Sequence, residues 1–226
     1  MNHDKFLDIL NRGQTEEMQK AVLELLARAQ DQRIQDELFK ELISDYAVIS
    51  KKLETKVSEV TWLSQTDSLT QIYNRHKLDE IFPLESARAK SSNTELAVIL
   101  FDIDHFKKVN DTYGHETGDT VLVELTRLVK NVVRKSDLFV RWGGEEFLLL
   151  VPDTLVEVER LAERIRQQVM NFQFTRVKTV TISLGVAAYE PEADTLDSLV
   201  AKADEVLYKA KQGGRNRVEV YFSKML

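Results

Sequence analysis

LFVRWGGEEFLLLV, residues Leu138 to Val151, reads as two short apolar strands joined through Gly143 and Gly144, a two-residue connection that folds a strand back on its neighbour. Upstream of this hairpin, LAVILF (Leu96 to Phe101) is a continuous apolar run suited to a buried strand. Between the two, Val121, Leu122, Leu125, Leu128, Val129 and Val132 recur at helical spacing within Thr120 to Val133. Downstream the pattern predicts a helix over Leu155 to Met170, a strand over Thr179 to Ala188, a helix over Thr195 to Lys211 stopped by Gly213, and a last strand over Arg217 to Phe222. Strand, helix, hairpin, helix, strand in this order predicts an α+β fold of ferredoxin-like type, a mostly antiparallel sheet with helices on one or both faces.

The N-terminal third is of a different character. All three prolines (Pro83, Pro152, Pro191) and seven of the eight glycines lie after residue 66, and residues 14 to 66 contain neither, so a boundary is expected near Thr66. Before it, Phe39, Leu42, Tyr46, Ile49, Leu53, Val60 and Leu63 alternate in steps of three and four, with a lapse at Lys56. Such a seam suits either a parallel dimeric coiled coil or a helix packed on its own domain; the length of the run favours the coiled coil. Met18, Val22, Leu25, Leu26 and Ala29 add a helical pattern within residues 1 to 30, with a break expected at Gly13.

Composition narrows the class. The chain has 226 residues, 43% hydrophobic and 30% charged, which fits one catalytic-sized domain with an appendage and excludes disorder throughout. With no cysteine there is no disulfide, thiolate metal site or cysteine nucleophile, so any metal sits on oxygen or imidazole. A net charge of -6 argues against sequence-independent nucleic-acid binding. The start MNHDKFLDIL lacks a signal-peptide core, and no run of about 18 apolar residues is present to span a membrane, so a cytoplasmic protein is expected.

The chemistry concentrates where apolar strands give way to charge. Asp102 ends the LAVILFD run, and a carboxylate there is costly unless a cation accompanies it. Glu145 and Glu146 follow the paired glycines, which leave the backbone open to a ligand. If hairpin and strand are neighbours, these carboxylates converge, and a hard divalent cation relieves their repulsion. Lys107, Lys211 and Arg215 supply positive charge for phosphates, although KQGGRN taken alone also reads as an ordinary helix C-cap.

These segments together resemble the GGDEF-family diguanylate cyclases, with the variant signature GGEEF at Gly143 to Phe147. The resemblance runs in order from DSLTQIYNR (Asp67 to Arg75) through FDIDHFKKVNDTYGHETGD (Phe101 to Asp119), RKSD and RWGGEEF (Arg134 to Phe147) and SLGVA (Ser183 to Ala187) to ADEVLYKAKQGGRN (Ala203 to Asn216). Gln71 departs from the glycine frequent at its position. The resemblance implies a nucleotide-cyclase-type sheet and the condensation of two GTP into cyclic di-GMP with release of two pyrophosphates, assisted by two Mg²⁺ or Mn²⁺ per active site.

Carried over position by position, Asp102, Glu145 and the backbone carbonyl of Ile103 resemble metal ligands, with Glu146 close by. Asn110 and Asp119 match guanine-reading positions; relatives making mixed GMP-AMP products carry serine at the latter. Lys107, Lys211 and Arg215 match triphosphate-neutralising positions, Phe106 and neighbouring amides line the cradle, and Gly143 and Gly144 let the nucleotide lie against the hairpin. Because the product is two-fold symmetric, a homodimer is implied, held by the N-terminal seam. Arg134 and Asp137 form R-x-x-D at the spacing of the family's inhibitory product site, although the motif alone also reads as a solvated helix end. The alternatives are a catalytically silent cyclic di-GMP receptor using Arg134 and Asp137, and a coiled-coil interaction protein whose globular end only binds GTP.

Overall fold

The structure is a computed structural model that describes Lys20 and residues 32–222. The helix expected within residues 1 to 30, with its break at Gly13, lies outside the described residues apart from Lys20. The chain divides into two units, Met1–Val60 and Thr61–Leu226.

Helix α1 spans Gln32–Gln65, and its seam residues Phe39, Tyr46, Leu53, Val60 and Leu63 are 53 to 69% exposed. At the lapse, Lys56 forms an exposed ion pair with Glu59 at 2.7 Å, and the adjacent Val57 is exposed, four residues after Leu53 and three before Val60.

In the second unit a six-stranded sheet has the order β1-β3-β4-β2-β5-β6. Its strands are β1 (Tyr73–Asn74), β2 (Ala97–Ile103), β3 (Leu138–Gly143), β4 (Glu146–Val151), β5 (Ile182–Ala188) and β6 (Val218–Val220). The inner four pair antiparallel, and each edge strand joins its neighbour in parallel. The expected α+β fold with a mostly antiparallel sheet between helices is what forms.

Strand period sets the two cores. On one face Ile99, Phe101 and Ile103 pack on Val121, Leu125 and Val129 of α4 (His115–Val132) and on Val158, Ala162 and Ile165 of α5 (Leu155–Asn171). On the other, Val98 and Leu100 pack on Leu78 and Phe82 of α2 (Arg75–Ser92) and on Leu199, Ala203 and Leu207 of α6 (Leu196–Gln212). Phe101 stacks on Phe147 across β2 and β4 with ring centroids 5.4 Å apart. Burying each such side chain stabilises the fold by about 1.5–3 kcal/mol. A short helix, α3 (Phe106–Tyr113), connects β2 to α4. No helix among the described residues is long and apolar enough to cross a membrane.

Three elements go beyond the sequence reading: the two-residue β1 forms at Tyr73–Asn74, α2 forms despite carrying Pro83 inside it, and α3 occupies the FKKVNDTY segment. Within the hairpin, the turn falls one residue later than the two glycines suggest. The β3–β4 register shifts between Arg141 and Gly143, Gly143 pairs with Glu146, and Gly144 and Glu145 form the tip. The bulge leaves Trp142 out of the ladder, where the Arg75 guanidinium stands 4.1 Å over its ring.

Candidate active site

The alternation that puts Val98 and Leu100 under α6 carries Asp102 to that same face, one step past the apolar run. There it is directly opposite Glu146 on β4 and Ser183 on β5. It is only 7% exposed, and Lys211, in the last turn of α6, reaches its Oδ2 at 3.1 Å. Burial pushes the Asp102 carboxyl from the ordinary 3.8 up to about 6; Lys211 opposes the rise, and Glu145 and Glu146 add to it. The Ile103 amide donates to the Glu145 carbonyl at 3.4 Å, tying the hairpin tip to the end of β2. One sheet edge thus carries Asp102, Ile103, Gly143, Gly144, Glu145 and Glu146, with Lys211 above it.

This is a donor set for a hard cation: carboxylate and carbonyl oxygens, with an ammonium already drawn to the most buried of them. Among the described residues no group of three or more acidic or imidazole side chains is placed to hold a metal ion by itself. A cation here would keep open positions for phosphate oxygens and water, which suits Mg²⁺.

Around this edge lie the remaining sequence candidates. Phe106 is buried at the start of α3, Lys107 is exposed beside it, and Asn110 lies one turn further on. Gly118, in the first turn of α4, makes room for them: a Cβ built there would fall 1.9 Å from Asn110 Oδ1 and 3.2 Å from Phe106 Cζ. The missing methyl therefore lets the Asn110 amide lie against α4 next to Asp119, which is exposed. No side chain caps the N-terminus of α3, where His105 takes a left-handed φ of 58°. Arg215 is exposed in the loop after α6.

Arg134 and Asp137 are not part of this edge. They form the turn between α4 and β3, at the opposite end of β3 from the hairpin tip, about 20 Å away along a six-residue strand. Asp137 Oδ2 accepts from the Arg134 amide at 2.7 Å, while the Arg134 guanidinium pairs with Asp153 at 2.9 Å.

Several residues of the site escaped the sequence reading. Gly185 brings α6 close to β5, since a Cβ there would stand 2.1 Å from the Ala203 carbonyl and 2.6 Å from the Leu207 amide nitrogen. Arg141 links the hairpin tip to Asp67. Asp104, two residues beyond Asp102, accepts bonds from Thr181, Ser183 and Asn216. The second aspartate of FDID was the one local signal for it; its partners come from far along the chain. Gln71 takes a left-handed φ of 55°, a conformation open to glycine at no steric cost.

The second unit is thus an α+β domain whose central strand ends in a buried carboxylate, faced by acidic residues of a neighbouring hairpin and roofed by a helix-end lysine. The profile of the family described as "Diguanylate cyclase, GGDEF domain" matches residues 64–217, and the chain belongs to that family. It is 38% identical over 192 residues to the response regulator PleD of Caulobacter vibrioides, covering 82% of this chain and 41% of that protein. It is 36% identical over 170 residues to diguanylate cyclase A of Treponema denticola, covering 71% of this chain and 45% of that one. The chain therefore spans less than half the length of these relatives. Among solved structures it is similar to the coiled coil and GGDEF domain of DgcB from Caulobacter crescentus in complex with c-di-GMP, with a TM-score of 0.73 and 29% identity over 80% of this chain and 98% of that one.

Proposed function

We propose that the chain is a diguanylate cyclase that condenses two GTP into cyclic di-GMP and two pyrophosphates, working as a homodimer. The observation that carries this reading is the buried Asp102, its pKa raised to about 6, facing Glu145 and Glu146 beneath Lys211. Asp102, Glu145, the Ile103 carbonyl and Glu146 would hold two divalent cations, Mg²⁺ or Mn²⁺. When bound, such a pair supplies an activated 3′-hydroxyl and charge neutralisation at the α-phosphate. In each half reaction the 3′-oxygen of one GTP bonds to the α-phosphorus of the other, the bond to the β-phosphate oxygen breaks, and the hydroxyl proton leaves. Glu145, at the tip, is assigned to help accept that proton, a step that metal activation of the hydroxyl alone would also serve.

The chain's own groups do the rest. Lys107, Lys211 and Arg215 neutralise the triphosphate, aided by the first amides of α3 and by Phe106 as a wall. Gly143 and Gly144 leave space for nucleotide against the hairpin; nothing lies within 4 Å of a Cβ built at Gly144. Asn110 and Asp119 select guanine, because a carboxylate accepts from N1–H and the exocyclic amine on C2, where adenine has an acceptor at N1 and only a hydrogen at C2.

Two such half-sites must face each other, so we assign residues 1 to 66 to dimerisation and signal transmission and residues 67 to 226 to catalysis. The exposed stripe of α1 supports this, since a paired helix holds two catalytic domains at high effective concentration. Arg134 and Asp137 are assigned to product inhibition; their distance from the hairpin tip supports a site separate from the catalytic edge. GTP as substrate implies a cytoplasmic enzyme.

The test is incubation of the purified chain with GTP and Mg²⁺ across protein concentrations, with cyclic di-GMP as the readout. Product formed by the wild type and abolished in Asp102→Asn and Glu145→Gln supports the reading. Binding of cyclic di-GMP without synthesis would replace the cyclase by a silent receptor.

A further inference from the structure

Asp104 lies two residues from Asp102, yet its environment differs. It is 7% exposed, and both carboxylate oxygens are engaged by neutral donors: Ser183 Oγ on Oδ1 at 2.7 Å, and Thr181 Oγ1 at 2.7 Å with the Asn216 amide at 3.0 Å on Oδ2. A carboxylate so surrounded is stabilised in place by hydrogen bonding rather than presented to a ligand.

Its partner Asn216 is held from the other side as well. The guanidinium of Arg166 on α5, whose side chain is only 13% exposed, is locked by two bonds to Glu163 at 2.7 and 2.8 Å. Its remaining nitrogen donates to Asn216 Oδ1 at 2.8 Å and to the Asn216 carbonyl at 3.4 Å. The backbone leading into this doubly held residue is unusual. Gly214, Arg215 and Asn216 take successive left-handed φ values of 111°, 62° and 46°. For a residue with a Cβ this region costs about 1–2 kcal/mol, so Arg215 and Asn216 stay there only because their surroundings hold them.

We infer that Asp104 and Arg166 are positioning residues that clamp the loop after α6 from opposite sides and thereby aim Arg215 at a bound triphosphate. The inference rests on the proposed role of Arg215 in phosphate binding. Neither residue touches substrate in this arrangement; both act through Asn216. Ordering the loop in advance removes an entropic cost that nucleotide binding would otherwise bear.

The test uses the full chain, Mg²⁺, and a GTP analogue with a methylene bridge between its α- and β-phosphates, titrated calorimetrically into the wild type, Arg166→Ala, Arg215→Ala and the double variant. Arg166→Ala is expected to bind the analogue roughly 10-fold more weakly, with little further loss when it is added to Arg215→Ala, because both remove one contact. GMP, which lacks the outer phosphates, should bind the wild type and Arg166→Ala alike. Hydrogen exchange at the Asn216 amide should quicken in Arg166→Ala. Arg166→Lys, which keeps the charge and the stem but not the fork, should reproduce the loss with the least disturbance of the fold.

Unchanged affinity for the analogue in folded Arg166→Ala, or losses that multiply in the double variant, would overturn the inference while leaving the cyclase reading intact. A wild type that binds no guanosine triphosphate at all would sink the proposed function, and this inference with it.

Discussion

Arg141 donates to Asp67 Oδ1 at 2.9 Å with one nitrogen and to the Gly144 carbonyl at 3.0 and 2.7 Å with the other two. One guanidinium thus joins the tip of the β3–β4 hairpin to the turn that follows α1. Asp67 also accepts from the amide and hydroxyl of Thr70. Burial raises the Asp67 carboxyl, but the bonds from Thr70 and Arg141 outweigh it and hold the carboxyl below 3.8. Arg141→Ala leaves a partly buried carboxylate without its cation, so a loss of about 1–3 kcal/mol is expected, read as a melting temperature lower by several degrees. Because the Asp67 pKa is depressed below 3.8, its contribution is present above that value and lost as pH falls through the folded-state pKa beneath it. Acid titrations of wild type and Arg141→Ala should therefore converge at the acid end; parallel curves would count against the linkage.

Asp102 titrates in the opposite sense. Its pKa is raised from 3.8 to about 6, so the folded state binds more protons than the unfolded state between those values. Metal-free stability should fall as pH rises through this window and, for this group, level off above about 6. A divalent cation competes with that proton. Apparent Mg²⁺ affinity should weaken as pH drops below about 6, and binding at pH 6 should release protons that a pH-stat records. Asp102→Asn should abolish the release.

Gly118 and Gly185 separate activity from folding. Gly118→Ala improves helix propensity by about 0.5–1 kcal/mol yet drives a methyl into Asn110, so the melting temperature should hold while KM for GTP rises about 10-fold or more. Gly185→Ala instead meets backbone of α6, which cannot yield, and a loss above about 3 kcal/mol is expected, visible as insoluble expression.

Replacing Leu42, Ile49 and Leu53 together by polar residues should leave the catalytic unit folded but make specific activity depend steeply on protein concentration, with a loss of about 10-fold or more at sub-micromolar protein. Activity measured alongside sedimentation decides it; an unaltered concentration profile would remove α1 as the dimerising element.

Arg134→Ala removes the ion pair with Asp153 and the cation suited to stacking on a guanine. Initial rates should persist while added cyclic di-GMP no longer slows turnover. Retained inhibition would move the regulatory site elsewhere.

Much of the second unit was legible because its strands are apolar and its helices amphipathic: LAVILF reads as buried, and Val121 to Val132 read as facing a core. The hairpin turn was displaced because nothing local announces the bulge at Trp142, whose ring lies under Arg75 from α2, far away in sequence. Helix α2 was hidden by Pro83, which signals a break although the helix continues through it. Asp102 stood out as charge at the end of a buried strand. Asp104, Arg141 and Arg166 did not, because the partners that give them their places (Thr181, Ser183 and Asn216 for Asp104, Asp67 for Arg141, Asn216 for Arg166) lie 50 or more residues away, and only the folded chain brings them together. The two close-packing glycines were equally silent, since what a missing methyl accommodates is a tertiary fact.

The sheet ends on each side in a very short parallel strand, two residues in β1 and three in β6. Such stubs offer almost no template of unpaired amides and carbonyls, which protects the domain against edge-to-edge polymerisation. It also leaves two copies of this domain little backbone with which to extend one sheet into the other, so in the proposed dimer the contact between catalytic halves would rest on side chains.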